Sequence, residues 1–168
     1  MQLGIGSFAY AWAIGVPGFK PSRPMTAPHL VARAASLGVQ LVQIANNLPL
    51  DRLTEAELRE LKAQADALGV KVEVGTRGIA PSHLATYLEL AEFFASPVIR
   101  VVVDTAHHHP DEDEVVGTLG PLMKAFERAG VHLAIENHDR FTADTLARIV
   151  ARLGSPYAGI CLDVINSI

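Results

Sequence analysis

Leu37-Gly38-Val39, Leu68-Gly69-Val70 and Ala129-Gly130-Val131 repeat one event: a helical pattern stops at a glycine and an apolar strand begins at once. Glycine just past a helix end takes the left-handed backbone that closes the last turn. The β-branched residue that follows favours extended chain. Strand starts recur about every 30 residues, the length of one strand-helix unit. Right-handed crossovers between such units make all the strands parallel.

Six strands are expected, over residues 3–8, 39–45, 70–75, 98–103, 131–136 and 157–163, with five helical stretches between them. Thr26 is an N-cap, with Pro28 tolerated in the first turn. Thr54-x-x-Glu57 is a capping box. Pro81-Ser82 opens a helix whose Leu84, Tyr87, Leu88, Ala91 and Phe94 have core spacing. The acidic run Asp111 to Glu114 suits a helix start, and Pro121 kinks or restarts that helix. Thr142 caps the last helix, which runs to Leu153-Gly154. Residues 9–25 read as a long loop carrying Tyr10, Trp12 and Phe19; its aromatic residues either cover a site or pack the loop onto the domain.

The run from Val131 to Arg140 locates the chemistry. Apolar residues break abruptly into Glu136, Asn137, His138, Asp139 and Arg140, as at a buried parallel strand whose carboxyl end opens into a polar site. The bland alternative is that Glu136 caps the next helix or pairs with Arg140; the four polar residues directly after it favour a site. Other strands also end in polar residues: Asn46-Asn47, Thr76-Arg77, Asp104-Thr105 and Asp163. A doubly wound sheet gathers ligands at one switch point, whereas a (β/α)8 barrel collects residues from many strand ends on one face. The expected fold is therefore α/β of the (β/α)8 TIM-barrel type, as one incomplete domain over residues 1–168, truncated after the sixth parallel strand. A full barrel has eight strands and about 250 residues. An open parallel edge would expose apolar surface suited to self-association.

Other features exclude rather than assign. Gly4-x-Gly6-x-x-Ala9 looks like a dinucleotide fingerprint, but it lacks a full strand before it, a helical pattern directly after it and an acidic residue about 20 positions on. His107-His108-His109 fit a solvated loop better than a metal site, because adjacent loop residues seldom all face one ion. With 168 residues, 49% of them hydrophobic, the chain can build one core. Its net charge of −4 and lack of a basic run leave no footprint for nucleic acid. The single cysteine, Cys161, rules out an internal disulfide and suits a reducing, cytoplasmic setting. No signal peptide and no membrane-spanning run are seen.

With Glu136-Asn137-His138 and Cys161-Leu162-Asp163-x-x-Asn166 in place, the chain resembles the xylose isomerase-like barrel superfamily along its whole length. The resemblance implies a divalent-metal-dependent isomerase or epimerase of a sugar, sugar phosphate or related hydroxy-carbonyl compound, working by proton transfer. It implies Glu136 as metal ligand and acid/base, Asp163 as metal ligand, and His138 and Asn166 as substrate contacts or supports of the ligands; Tyr10 and Trp12 are further candidate substrate contacts on the character of their loop alone. The metal would be Mg²⁺ or Mn²⁺, or with an added histidine Zn²⁺ or Co²⁺. The seventh- and eighth-strand ligands of such barrels have no counterpart here. The resemblance implies a small carbohydrate substrate and neither nucleic acid nor membrane as partner. The alternatives are a non-catalytic barrel remnant that associates through its open edge and, less well supported, an apurinic endonuclease IV-like nuclease. The second- and third-strand ends that carry histidines in the nuclease branch hold Asn46-Asn47 and Thr76-Arg77 here.

Overall fold

The structure, a computed structural model, describes residues 2–138 and 140–166. The chain divides into two compact units, Met1–Gly75 with Phe94–Ser96, and Thr76–Phe93 with Pro97–Ile168. Its strands form one sheet in chain order, the pattern of a TIM barrel over its six strands.

In the first unit, strand β1 (Ile5–Gly6) leads into a 3-10 turn (Ser7–Tyr10) and the short helix α1 (Ala11–Ile14). The expected first strand thus ends early, and part of the expected loop is helical. Residues 7–14 contain neither glycine nor proline, so nothing there interrupts a helical turn. Helix α2 (Ala27–Ser36), strand β2 (Leu41–Ile44), helix α3 (Glu55–Leu68) and strand β3 (Lys71–Arg77) come next, the last two residues of β3 belonging to the second unit. The capping box is made: Thr54 Oγ1 accepts the Glu57 amide at 3.3 Å, and Glu57 Oε2 accepts the Thr54 amide at 2.7 Å. Gly38, Gly69 and Gly130 have φ of 70°, 64° and 67°, the left-handed values that the repeated joins require.

β1 pairs with β2, and β2 with β3, in parallel. Alternation along these strands separates two faces. Val42, Ile44, Val72 and Val74 are buried with Leu30, Val31 and Leu61 of the helices. Each such aliphatic side chain contributes about 1.5–3 kcal/mol on burial. The opposite face carries Gln43 and Glu73, which hydrogen bond across the strands at 3.3 Å.

The second unit contains most of helix α4 (Pro81–Phe94), strand β4 (Val98–Val102), helices α5 (Glu112–Leu119) and α6 (Met123–Ala129), strand β5 (His132–Glu136), helix α7 (Ala143–Leu153) and strand β6 (Ala158–Cys161). Pro121 sits in a 3-10 turn, Gly120–Leu122, that separates α5 from α6. β4 pairs with β5, and β5 with β6, in parallel. Ile99, Val101, Leu133 and Ile135 are buried on one face. Arg100, Ala134 and Glu136 occupy the alternate positions. β6 stops before the expected residue 163 because the chain turns there: Asp163 Oδ1 accepts the Ile165 amide at 2.9 Å. Ile160, Leu162, Val164 and Ile165 are exposed. Among the described residues no helix is long and apolar enough to cross a membrane.

Candidate active site

The register of β4 on β5 builds the centre of the site. Arg100 lies beside Ala134, so Glu136, two residues on, projects from the same face one pleat nearer the carboxyl end. The Arg100 guanidinium meets Glu136 Oε2 as an ion pair, and Asn166 Nδ2 donates to Glu136 Oε1 at 3.3 Å. Glu136 is only 3% exposed. It therefore neither caps the next helix nor pairs with Arg140. Burial lowers the pKa of Arg100 and the neighbouring Arg77 lowers it further, while Cys161 and Asp163 act to raise it. The guanidinium stays charged in any case.

On the other side of β5, Glu136 is level with Cys161 of β6. Asn137 fixes the turn after β6: its Nδ2 donates to the Asp163 carbonyl at 2.8 Å, and its Oδ1 accepts the Asp163 amide at 2.5 Å. This two-point clamp carries Asp163 and Asn166 toward Glu136. His138 is half-buried, with Nε2 3.4 Å from Arg77 Nη2. Arginine only donates, so that imidazole nitrogen must accept. Asp139 lies outside the described residues.

Arg77 stands at the end of β3, and its Nη1 donates to the Asp104 carbonyl at 3.3 Å. Directly after it Gly78 turns the chain, with φ of 93° and its amide on the Val102 carbonyl at 2.8 Å. Asp104, at the end of β4, is taken by Arg140: Nε to Oδ2 at 2.9 Å and Nη2 to Oδ1 at 2.6 Å. Those hydrogen bonds hold the Asp104 carboxyl below its ordinary pKa. Arg140 also donates to the Pro110 carbonyl at 2.7 Å, so the pair ties two strand-end loops together. Of the three adjacent histidines, His108 meets Glu114 at 2.7 Å and His109 meets Asp104 at 3.5 Å; both are exposed.

Within the second unit the structure thus brings Asn166 onto Glu136, ties the Asp163 backbone to Asn137 and sets His138 against Arg77. Tyr10 and Trp12 belong to the first unit. The Tyr10 hydroxyl accepts from Arg33 Nε at 3.2 Å, and the exposed Trp12 ring rests on Phe19 with centroids 5.7 Å apart. Sequence reasoning missed Arg100 and the clamping role of Asn137, and it marked Arg77 only as a polar strand end. A signal for Arg100 was present: a lone arginine inside the run from Val98 to Val103 needs a buried partner.

The carboxylates of Glu136 and Asp163 suit a hard divalent cation in chemistry. Among the described residues no three His, Cys, Asp or Glu side chains gather for a metal, and catalytic sites normally have three or more protein ligands.

No model of a known protein family matches the chain. It is 29% identical over 168 residues to the 3-oxo-isoapionate decarboxylase of Pectobacterium atrosepticum, and it spans 60% of that protein's length. Among solved structures it is similar to D-psicose 3-epimerase from Clostridium cellulolyticum H10, solved with D-tagatose. The TM-score is 0.76 at 20% identity, over 97% of this chain and 63% of that one. It is also similar to the IolI protein with a bound zinc atom, with a TM-score of 0.66 at 14% identity, over 95% and 62%.

Proposed function

We propose that this chain, which has the fold of the xylose isomerase-like TIM barrels, belongs to a divalent-metal-dependent enzyme that moves a proton at the carbon next to a carbonyl in a sugar, sugar phosphate or sugar-acid substrate. The carrying observation is the buried Glu136 at the end of β5, held by Arg100 on one oxygen and Asn166 on the other. A bound divalent cation would polarise the substrate oxygens, with Glu136 and Asp163 as the ligands that this chain supplies. Glu136 serves as one acid/base group for the proton, and epimerisation needs a second such group on the opposite face of the substrate. Arg100 fixes the orientation of its carboxylate, and Asn137 holds the β6 turn so that Asn166 can reach Glu136. His138 and Asn166 offer polar contacts to substrate hydroxyls. Epimerisation, isomerisation and loss of carboxylate from a 3-oxo acid share this step: each delivers a proton to a carbon beside a carbonyl. That accommodates both an epimerase and a decarboxylase among the similar proteins.

The test is solvent exchange in the native protein. With Mn²⁺ in D₂O, ketoses and 3-oxo sugar acids should take up deuterium next to the carbonyl, and Glu136→Gln should abolish the uptake. Uptake that persists in Glu136→Gln removes Glu136 from the chemistry.

A second reading rests on Ile160, Leu162, Val164 and Ile165, which are 43%, 69%, 69% and 76% exposed. They suit self-association along β6. Sedimentation of the chain as a concentration-independent monomer would dismiss it.

A further inference from the structure

We infer that Arg77, with His138 beside it, is a binding site for the oxyanion of an acidic substrate, so that the preferred compound carries a carboxylate or phosphate rather than being a neutral sugar. This rests on the proposed chemistry at Glu136 and adds the substrate class to it. The argument starts from how this chain treats its arginines. Arg59, Arg100, Arg140, Arg148 and Arg152 each meet a carboxylate. Arg23, Arg33, Arg52 and Arg128 have no such partner and are exposed, so water satisfies them. Arg77 differs from both groups. It is half-buried, and among the described residues no carboxylate lies within ion-pair distance of it.

Its polar contacts among the described residues are a backbone carbonyl at 3.3 Å and an imidazole nitrogen at 3.4 Å, both at the long end of hydrogen bonding. A guanidinium has five N–H donors, so most of this one's capacity is unspent. Drawing a cation out of water without a counter-charge is unfavourable. The fold nevertheless holds it there: β3 carries Arg77 to the last strand position, and Gly78 turns the chain away in a backbone conformation that disfavours other residues. Arg77 also acts on Arg100, lowering its pKa, so the two guanidiniums lie in one field. Arg100 spends its charge on Glu136, whereas Arg77 meets no carboxylate among the described residues. A planar guanidinium at a strand end is suited to two-point binding of carboxylate or phosphate oxygens. His138, directly after the catalytic strand, places that anion next to the proton-transfer residue.

The probes are D-erythronate, erythritol 4-phosphate and neutral erythritol, titrated calorimetrically into the native protein at low salt. At least one anion should bind about tenfold or more tightly than erythritol, as charge-assisted pairing implies. Which anion leads distinguishes a sugar acid from a sugar phosphate. Arg77→Gln should erase the preference, Arg77→Lys should keep part of it, and the exposed-site control Arg128→Gln should leave it intact. If Arg77→Gln does not fold, added salt decides in the unaltered protein: it should weaken the anions and leave erythritol unchanged. Equal binding of erythritol and both anions overturns the inference, as does a preference retained by folded Arg77→Gln or an anion affinity indifferent to salt. Deuterium uptake reports on Glu136 independently, so either reading can fail alone.

Discussion

The Arg100 guanidinium and the Glu136 carboxylate form an ion pair in which the side chains are 11% and 2% exposed. Removing one partner of such a pair strands a buried charge, which costs about 3–5 kcal/mol. Replacing both with apolar groups of similar volume avoids that penalty. Arg100→Met should therefore lose about 3 kcal/mol or more in urea unfolding, and Arg100→Met/Glu136→Leu should recover a large part of the loss. A double variant no more stable than the single would mean that the two charges act separately.

Asp104 and Arg140 give the chain an acid-sensitive pin. Hydrogen bonding to Arg140 holds the Asp104 carboxyl below its ordinary value. In the unfolded chain that carboxyl has a pKa of about 3.9. The folded state therefore releases the proton more readily. The pair's contribution is fully present above about pH 4 and is lost as pH falls through the depressed folded value. Arg140 is 38% exposed on its side chain, so solvent reduces the effect to about 1 kcal/mol. Arg140→Gln should be less stable than the parent at pH 7 by about that amount, and the two curves should converge as pH falls through the depressed folded value. Parallel curves across the whole range would count against the pair.

The same residues show what could be read from sequence. The glycine joins were legible because helix closure and strand onset are local events, decided within a few residues. Glu136 was legible because it ends an apolar run. Its partner was not. Nothing local states that Arg100 lies beside Ala134 rather than one residue along, and a slip of one would turn Arg100 to the opposite face. Arg77 was visible as a polar strand end, but which groups surround it depends on residues far along the chain, Asp104 and His138 among them. Tyr10 and Trp12 are candidate substrate contacts on the character of their loop alone, and the structure gives them Arg33 and Phe19 as neighbours.

Gly78 is where the position of Arg77 is decided. A Cβ there would sit 2.9 Å from Thr105 Cγ2, and φ of 93° disfavours any side chain. Gly78→Ala combines both penalties and should destabilise by about 2–4 kcal/mol. Adding Thr105→Ser removes the opposing methyl group and should restore part of the loss, leaving the backbone component. Thermal melts of the two variants separate these contributions. Equal melting temperatures for Gly78→Ala with and without Thr105→Ser would show that contact with Thr105 plays no part.

The ligand count at Glu136 and Asp163 limits how tightly this chain alone holds a metal. Two carboxylates, one of them already engaged by a guanidinium, leave a cation with mostly water around it. Mn²⁺ or Co²⁺ should bind the isolated 168-residue chain with a Kd of about 1 mM or weaker, far short of a site with three or more protein ligands. Asp163→Asn should remove what binding there is, because Glu136 alone cannot outcompete Arg100 for the same carboxylate. Water-proton relaxation with Mn²⁺ reads this directly, without any substrate. A micromolar Kd, or binding that survives Asp163→Asn, would place the metal on other residues and would detach Asp163 from the proposed chemistry.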